Sequence, residues 1–132
     1  MYRIEVMEED EITERFTSYL KNKGYTITCV SKEKKHGPDI VAISSAGRRL
    51  VAEVKKHRSR HYGRPNAGHI DYPTVVGQIV ERMESPESDY AIVIEEAGRE
   101  YFAHLFSEYA MKRIGASVYA VSKDGTVTRI MG

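Results

Sequence analysis

The hydrophobic positions of this chain first repeat with the period of a helix. Ile12, Phe16 and Leu20 recur at the spacing of one helix face, which predicts an amphipathic helix with Asp10 as its N-cap. A later helix has the same spacing and places Tyr109 on its apolar face. The helices predicted in this way are residues 10–23, Pro73 to about residue 83, and residues 99–114.

Shorter segments rich in β-branched and aromatic residues predict strands. They are residues 25–31, 39–44, 49–55, 90–95, 117–122 and 126–131. The element order is therefore αβββαβαββ, and its β-α-β-α-β portion predicts some parallel pairing. We expect an α/β fold with a mixed central β-sheet flanked by helices, and Cys29 buried and inert in the first strand.

Composition places the chain among ordinary globular domains. Of its 132 residues, 41% are hydrophobic and 30% are charged, which argues against general disorder and predicts a single domain over residues 1–132. No apolar run approaches the ~20 residues that cross a bilayer, so no membrane partner is expected. Cys29 is the sole cysteine, which excludes an internal disulfide and Cys-based zinc sites. The expected location is cytoplasmic.

The net charge of +1 hides an uneven distribution along the chain. Residues 32–64 carry a net charge of +7, whereas the segments before and after carry −2 and −4. A basic segment of this kind attracts polyanions, most commonly nucleic acid, although a solvated loop without a partner is about equally compatible with charge alone. The residues expected to contact a DNA backbone here are Lys34, Lys35, Lys56, Arg58, Arg60 and Arg64.

Two acidic residues and a lysine converge in the predicted hairpin of residues 39–55. Glu53 and Lys55 are two apart on one strand and therefore point to the same face. If the turn centres on Ala46, Asp39 falls opposite Glu53, and directly paired residues lie ~4.5–5.5 Å apart at Cβ. Adjacent carboxylates repel each other unless a positive charge lies between them, and oxygen ligands suit Mg²⁺ or Mn²⁺. An ordinary cross-strand charge pair is the alternative.

The amino-acid sequence of this hairpin favours a metal site over an ordinary charge pair. Gly37-Pro38-Asp39-Ile40 followed by Ala52-Glu53-Val54-Lys55 resembles the signature of the PD-(D/E)xK nucleases. This superfamily includes many restriction endonucleases and the archaeal Holliday junction resolvases. The order of elements over roughly residues 10–95 is also similar to the core of that family. The resemblance implies a restriction endonuclease-like fold and metal-dependent hydrolysis of DNA phosphodiester bonds.

The resemblance also implies roles for individual residues. Asp39 and Glu53 would bind Mg²⁺ or Mn²⁺ together with the backbone carbonyl of Val54, and Lys55 would be the catalytic lysine. Gln78 resembles a glutamine that many members carry on the following helix, and it would be a further catalytic residue. A solvent-exposed amide without a role is about equally compatible with this position. Arg82 lies one helical turn after Gln78 and is expected to contact phosphate.

One position departs from the family pattern. Many members carry an acidic residue on the first helix. In this chain the equivalent position falls near Thr13, which is not acidic, so no metal ligand is expected from this helix. Glu9 lies nearer the required face, but one turn early.

Three functions remain open on these grounds. The first is a Mg²⁺-dependent endonuclease, for which a homodimer is plausible because cutting both strands needs two sites. The second is a catalytically weak or silent module of the same fold that binds DNA or a protein partner. The third is an interaction protein unrelated to nucleic acid.

Overall fold

The computed structural model describes residues 7–31, 37–58 and 68–132. Its helices are α1 (Glu9–Asn22), α2 (Gly68–Glu81), α3 (Arg99–Leu105) and α4 (Glu108–Ile114), with a 3₁₀ turn at Glu96–Gly98. Its strands are β1 (Thr26–Val30), β2 (Ile40–Ile43), β3 (Arg49–Lys55), β4 (Ser88–Glu95), β5 (Ala116–Val121) and β6 (Val127–Met131). No helix in these ranges is long and apolar enough to span a membrane.

The six strands form one mixed sheet in which spatial order equals chain order. The strands β3, β4 and β5 are parallel, and every other neighbouring pair is antiparallel. The connections between parallel strands pass through α2 and then through α3 and α4, as parallel pairing requires. The predicted α/β class with a helix-flanked mixed sheet is confirmed.

Each face of the sheet carries its own hydrophobic core. On one face α1 packs Ile12, Phe16 and Leu20 against the sheet, and all three side chains are buried. The other face packs against α2 and α3, which contribute Ile79 and Phe102. Successive strand residues point to opposite faces, so the nearly continuous apolar sequence of β4 supplies both cores. Each such buried side chain stabilises the fold by ~1.5–3 kcal/mol.

The structure corrects the prediction of one helix over residues 99–114. The helix is interrupted at Phe106, which adopts an extended conformation. Ser107 then caps α4, because its side chain accepts a hydrogen bond from the Ala110 N–H. A serine hydroxyl satisfies an N–H that the new helix start would leave unpaired. The break rotates Tyr109 away from the predicted apolar face, and it is 71% exposed.

Three smaller expectations were also wrong. The N-cap of α1 is Glu8 rather than Asp10, and it makes no side-chain cap. The helix α2 begins at Gly68, so Pro73 lies inside it rather than in its first turn. Cys29 is exposed, and its strand β1 lies at one edge of the sheet that the described residues form.

Candidate active site

The β2–β3 hairpin places two carboxylates side by side. Its turn uses Gly47 with a φ of 84°, and Ile40 pairs with Ala52. This register is the predicted one, and it brings Asp39 opposite Glu53. The Asp39 N–H donates to Oε2 of Glu53 at 3.0 Å, and the Val54 N–H donates to Oδ2 of Asp39 at 2.8 Å. Each carboxylate therefore accepts a backbone N–H from the opposite strand side of the hairpin, which holds the two side chains close together.

Burial raises the pKa of both carboxyl groups. Glu53 is only 3% exposed, and desolvation, followed by the charge of Asp39, raises the pKa of Glu53 to about 7. Desolvation also raises the pKa of Asp39, against the opposing effect of the Val54 N–H. A pair of acids with raised pKa values is typical of functional sites, and it favours any cation that reaches both oxygens.

Lys55 lies beside this pair and contacts an acid from the first helix. Its Nζ is 3.4 Å from Oε2 of Glu9, and the Lys56 N–H donates to the same oxygen at 3.4 Å. The sequence predicted no metal ligand from this helix, and the structure places its Glu9 against Lys55. The signal for it was present, since Glu9 precedes Ile12 and Phe16 at the spacing of one helix face.

The helix α2 and the residue that follows it border the other side of the pair. Nε of Arg82 is 3.8 Å from Oε2 of Glu53, and this buried nitrogen has no hydrogen-bond partner among the described residues. Gln78, one turn earlier, is exposed. No hydrogen bond within the described ranges joins Gln78 to Asp39 or Glu53, so the structure places Arg82 and not Gln78 against the carboxylates.

The other predicted cations of this region are engaged as well. Lys56 pairs with Glu8 at 3.1 Å, and Arg58 makes two hydrogen bonds of 2.7 Å to Asp71. Burial opposes ionisation of Asp71, but the Arg58 hydrogen bond outweighs it with help from Lys55, so the pKa of Asp71 is lowered. The remaining predicted DNA contacts lie outside the described residues: Lys34, Lys35, Arg60 and Arg64.

The donor set at the hairpin fits a hard divalent cation with few protein ligands. In the parts of the chain that are described, no group of three or more His, Cys, Asp or Glu residues is close enough to enclose a metal. Mg²⁺, however, commonly takes one or two protein carboxylates and completes its shell with water and phosphate. Asp39 and Glu53 supply those two carboxylates. Val54 remains a predicted third ligand through its carbonyl.

Comparison with known proteins gives no sequence match but a clear structural one. No protein-family model matches the chain, and no curated protein matches it. The structure resembles an XisH family protein from Nostoc punctiforme with a TM-score of 0.65 and 17% identity, covering 93% of this chain and 100% of that one.

Two further solved structures are similar to different degrees. An fdxN element excision controlling factor protein from Anabaena variabilis has a TM-score of 0.65 and 17% identity over 93% of this chain and 99% of that chain. A repair endonuclease from Pyrococcus abyssi has a TM-score of 0.46 and 13% identity over 92% of this chain and 50% of that chain, which is too loose to bear on function. These two proteins from Nostoc and Anabaena share the fold of this chain over 93% of its length.

Proposed function

We propose that this protein is a metal-dependent nuclease that hydrolyses DNA phosphodiester bonds. The observation that carries the proposal is the meeting of Asp39, Glu53 and Lys55 at one end of the β2–β3 hairpin, with the two carboxylates joined through the Asp39 N–H. The raised pKa of each carboxyl group supports it, because a site that holds two acids together at such a cost suits a cation.

Each residue of the site has a separate role in this proposal. Asp39 and Glu53, with the carbonyl of Val54, would hold Mg²⁺ or Mn²⁺. When bound, such an ion polarises the phosphoryl oxygen and acidifies a water. The ammonium group of Lys55 orients that water and stabilises the negative charge that develops on the phosphoryl group. Glu9 holds Lys55 in place through the contact at 3.4 Å.

DNA would be bound by exchange of ion-pair partners. Lys56 and Arg58 are held by acids, and a phosphate that approaches them competes with those acids. The basic residues Lys34, Lys35, Arg60 and Arg64 add to this attraction, while Arg82 borders the carboxylate pair. Because the described residues hold one such carboxylate pair, cleavage of both strands would use a homodimer.

The test is a cleavage assay on supercoiled plasmid, single strands and a four-way junction, with Mg²⁺ or Mn²⁺ compared with EDTA. We expect metal-dependent cutting that Lys55→Ala lowers by at least about 100-fold. The matched control is Lys112→Ala, which removes an exposed lysine of α4 and should leave the rate unchanged. Equal rates in the wild type and Lys55→Ala would overturn the proposal.

A second candidate is a DNA-binding factor of the same fold that does not cleave. The observation that favours it is that both cations beside the carboxylates are already paired, Lys55 with Glu9 and Arg82 with Glu53. The whole-chain likeness to a protein described as an excision controlling factor also favours it. Salt-sensitive DNA binding with no cutting on any substrate would select this candidate.

A further inference from the structure

A buried carboxylate at the end of β4 joins the two segments that carry Lys55 and Glu9. Glu95 is 2% exposed. Its Oε2 accepts the Met7 N–H at 2.8 Å, and its Oε1 accepts the His57 N–H at 2.8 Å. Buried acids are rare unless they are hydrogen-bonded or paired, and here both oxygens are used by backbone donors. No side-chain cation contacts Glu95 within the described ranges.

The two donors are close in sequence to the candidate site. Met7 is two residues before Glu9, and His57 is two residues after Lys55. Two extended residues span at most ~7 Å, so fixing Met7 and His57 also limits where Glu9 and Lys55 lie. The 3.4 Å contact between Lys55 and Glu9 is thus made by segments that one carboxylate binds together.

The side chain of His57 is held by contacts of its own. His57 is buried, and its Nδ1 is 2.9 Å from the hydroxyl of Tyr72. Burial lowers the pKa of His57, which favours the neutral ring. Tyr72 packs over Gly98, where an added Cβ would come within 1.7 Å of the hydroxyl oxygen. His57 is therefore fixed by its ring and by its backbone N–H together.

We propose that Glu95 is a positioning residue that holds Glu9 against Lys55 and so sets the place of Lys55 beside the carboxylate pair. The catalytic meaning of this role rests on the proposed nuclease function. A carboxylate is required because two N–H groups need two acceptors, whereas a glutamine offers one acceptor and one donor. Replacing a residue that supports site residues through hydrogen bonds typically lowers activity by about 10- to 100-fold.

The first test needs no activity. Hydrogen exchange is measured by NMR at the Met7, Lys56 and His57 amides in the wild type, Glu95→Gln and Glu96→Gln. Lys56 is diagnostic because its N–H bonds to Glu9 and not to Glu95. We expect exchange at all three amides to quicken at least about tenfold in Glu95→Gln, with the Ser44 amide of the hairpin turn unchanged. Glu96 is the next residue in the chain, and its partner among the described residues is Arg99 at 3.5 Å. Exchange in Glu96→Gln should therefore match wild type.

Glu95→Asp separates positioning from folding. Aspartate keeps both acceptors on a shorter side chain, so it should restore part of the Lys56 protection that glutamine loses. Unchanged Lys56 exchange in Glu95→Gln would overturn the proposal. Equal acceleration at Ser44 and Lys56 would do so as well, because it would indicate general loosening.

The second test measures cleavage. We expect Glu95→Gln to lower kcat by about 10- to 100-fold with the Kd for DNA within twofold of wild type. The effect should be smaller in a Glu9→Gln background, since both residues act on one contact. Full additivity would contradict the positioning role. If the wild type does not cleave, the proposed function fails by itself, and the exchange data still decide whether Glu95 holds the contact.

Discussion

The Asp39 N–H lies 3.0 Å from Oε2 of Glu53, so one acid of the pair helps to solvate the other. That single donor does not offset the burial of Glu53, whose pKa stays raised to about 7 by desolvation and the charge of Asp39. The ionised form of Glu53 is therefore unfavourable in the folded hairpin.

Removing the charge of Glu53 should stabilise the protein at high pH. The pKa of Glu53 is about 7 in the folded chain against an ordinary value of 4.5, so the native state holds more protons between these pH values. Stability therefore falls as the pH rises through this window. We expect Glu53→Gln to gain up to about 3 kcal/mol over wild type at pH 8 and nothing at pH 4.

Urea unfolding at pH 4, 6 and 8 measures this effect. The loss of the Arg82 contact with Glu53 works against the gain and makes the figure an upper bound. Glu87→Gln, at an exposed acid before β4, is the control and should not change the pH profile. Parallel pH profiles of wild type and Glu53→Gln between pH 4.5 and 7 would contradict the raised pKa. The comparison isolates Glu53 from His57, whose lowered pKa changes stability in the opposite direction.

Divalent cations should stabilise the folded chain through the same pair. A ligand that binds only the native state adds about 2.7 kcal/mol at 100 times its Kd. We expect Mn²⁺ to raise the Tm of wild type at pH 8 and to have little effect on Asp39→Asn. Asp89→Asn breaks a surface pair with Arg48 at the opposite end of the sheet and should keep the full metal response. An equal response in Asp39→Asn would place the metal elsewhere.

Freeing Lys56 should make DNA binding more sensitive to salt. Lys56 pairs with Glu8, whose side chain is largely exposed, at 3.1 Å, and such a surface pair adds little to stability. In Glu8→Gln we expect tighter DNA binding, with the slope of log K against log salt steeper by about 0.9. Fluorescence anisotropy over a salt series measures it. Glu14 is an exposed acid within α1, and Glu14→Gln should leave the slope as it is in wild type.

The packing of Gly98 under Tyr72 should show strong coupling between the two positions. Alanine at position 98 would place its Cβ 1.7 Å from the Tyr72 hydroxyl oxygen, and overpacking of this kind costs about 1–3 kcal/mol. In a Tyr72→Phe background the hydroxyl is absent, so Gly98→Ala should cost less there. Urea unfolding of the four proteins in the cycle measures the coupling. Purely additive effects would mean that the two residues do not touch.

Local patterns predicted most of the fold and the centre of the site. The register of Asp39 and Glu53 followed from strand alternation and one turn, both of which are local properties. The break at Ser107 was missed because the apolar spacing of the surrounding residues continues through it. Only the serine, a good N-cap, marked a new helix start.

The ion pairs around the site could not be derived in the same way. Lys56 and Glu8 are 48 residues apart in the chain, and their meeting depends on how α1 packs on the sheet. The burial of Glu95 could not be predicted for a similar reason, since its donors Met7 and His57 lie on other segments of the chain. Long-range electrostatic partners depend on tertiary packing, which no local period encodes.

The sheet in which spatial order equals chain order has a consequence for how the protein matures on the ribosome. Each strand finds its neighbour as soon as it emerges, so the β2–β3 hairpin with its acids can form early. Glu95, however, ends β4 and reaches Met7 and His57 only after β4 has paired with β3. A nascent chain can therefore pair Asp39 with Glu53 before Glu95 is available to bind the segments that carry Glu9 and Lys55.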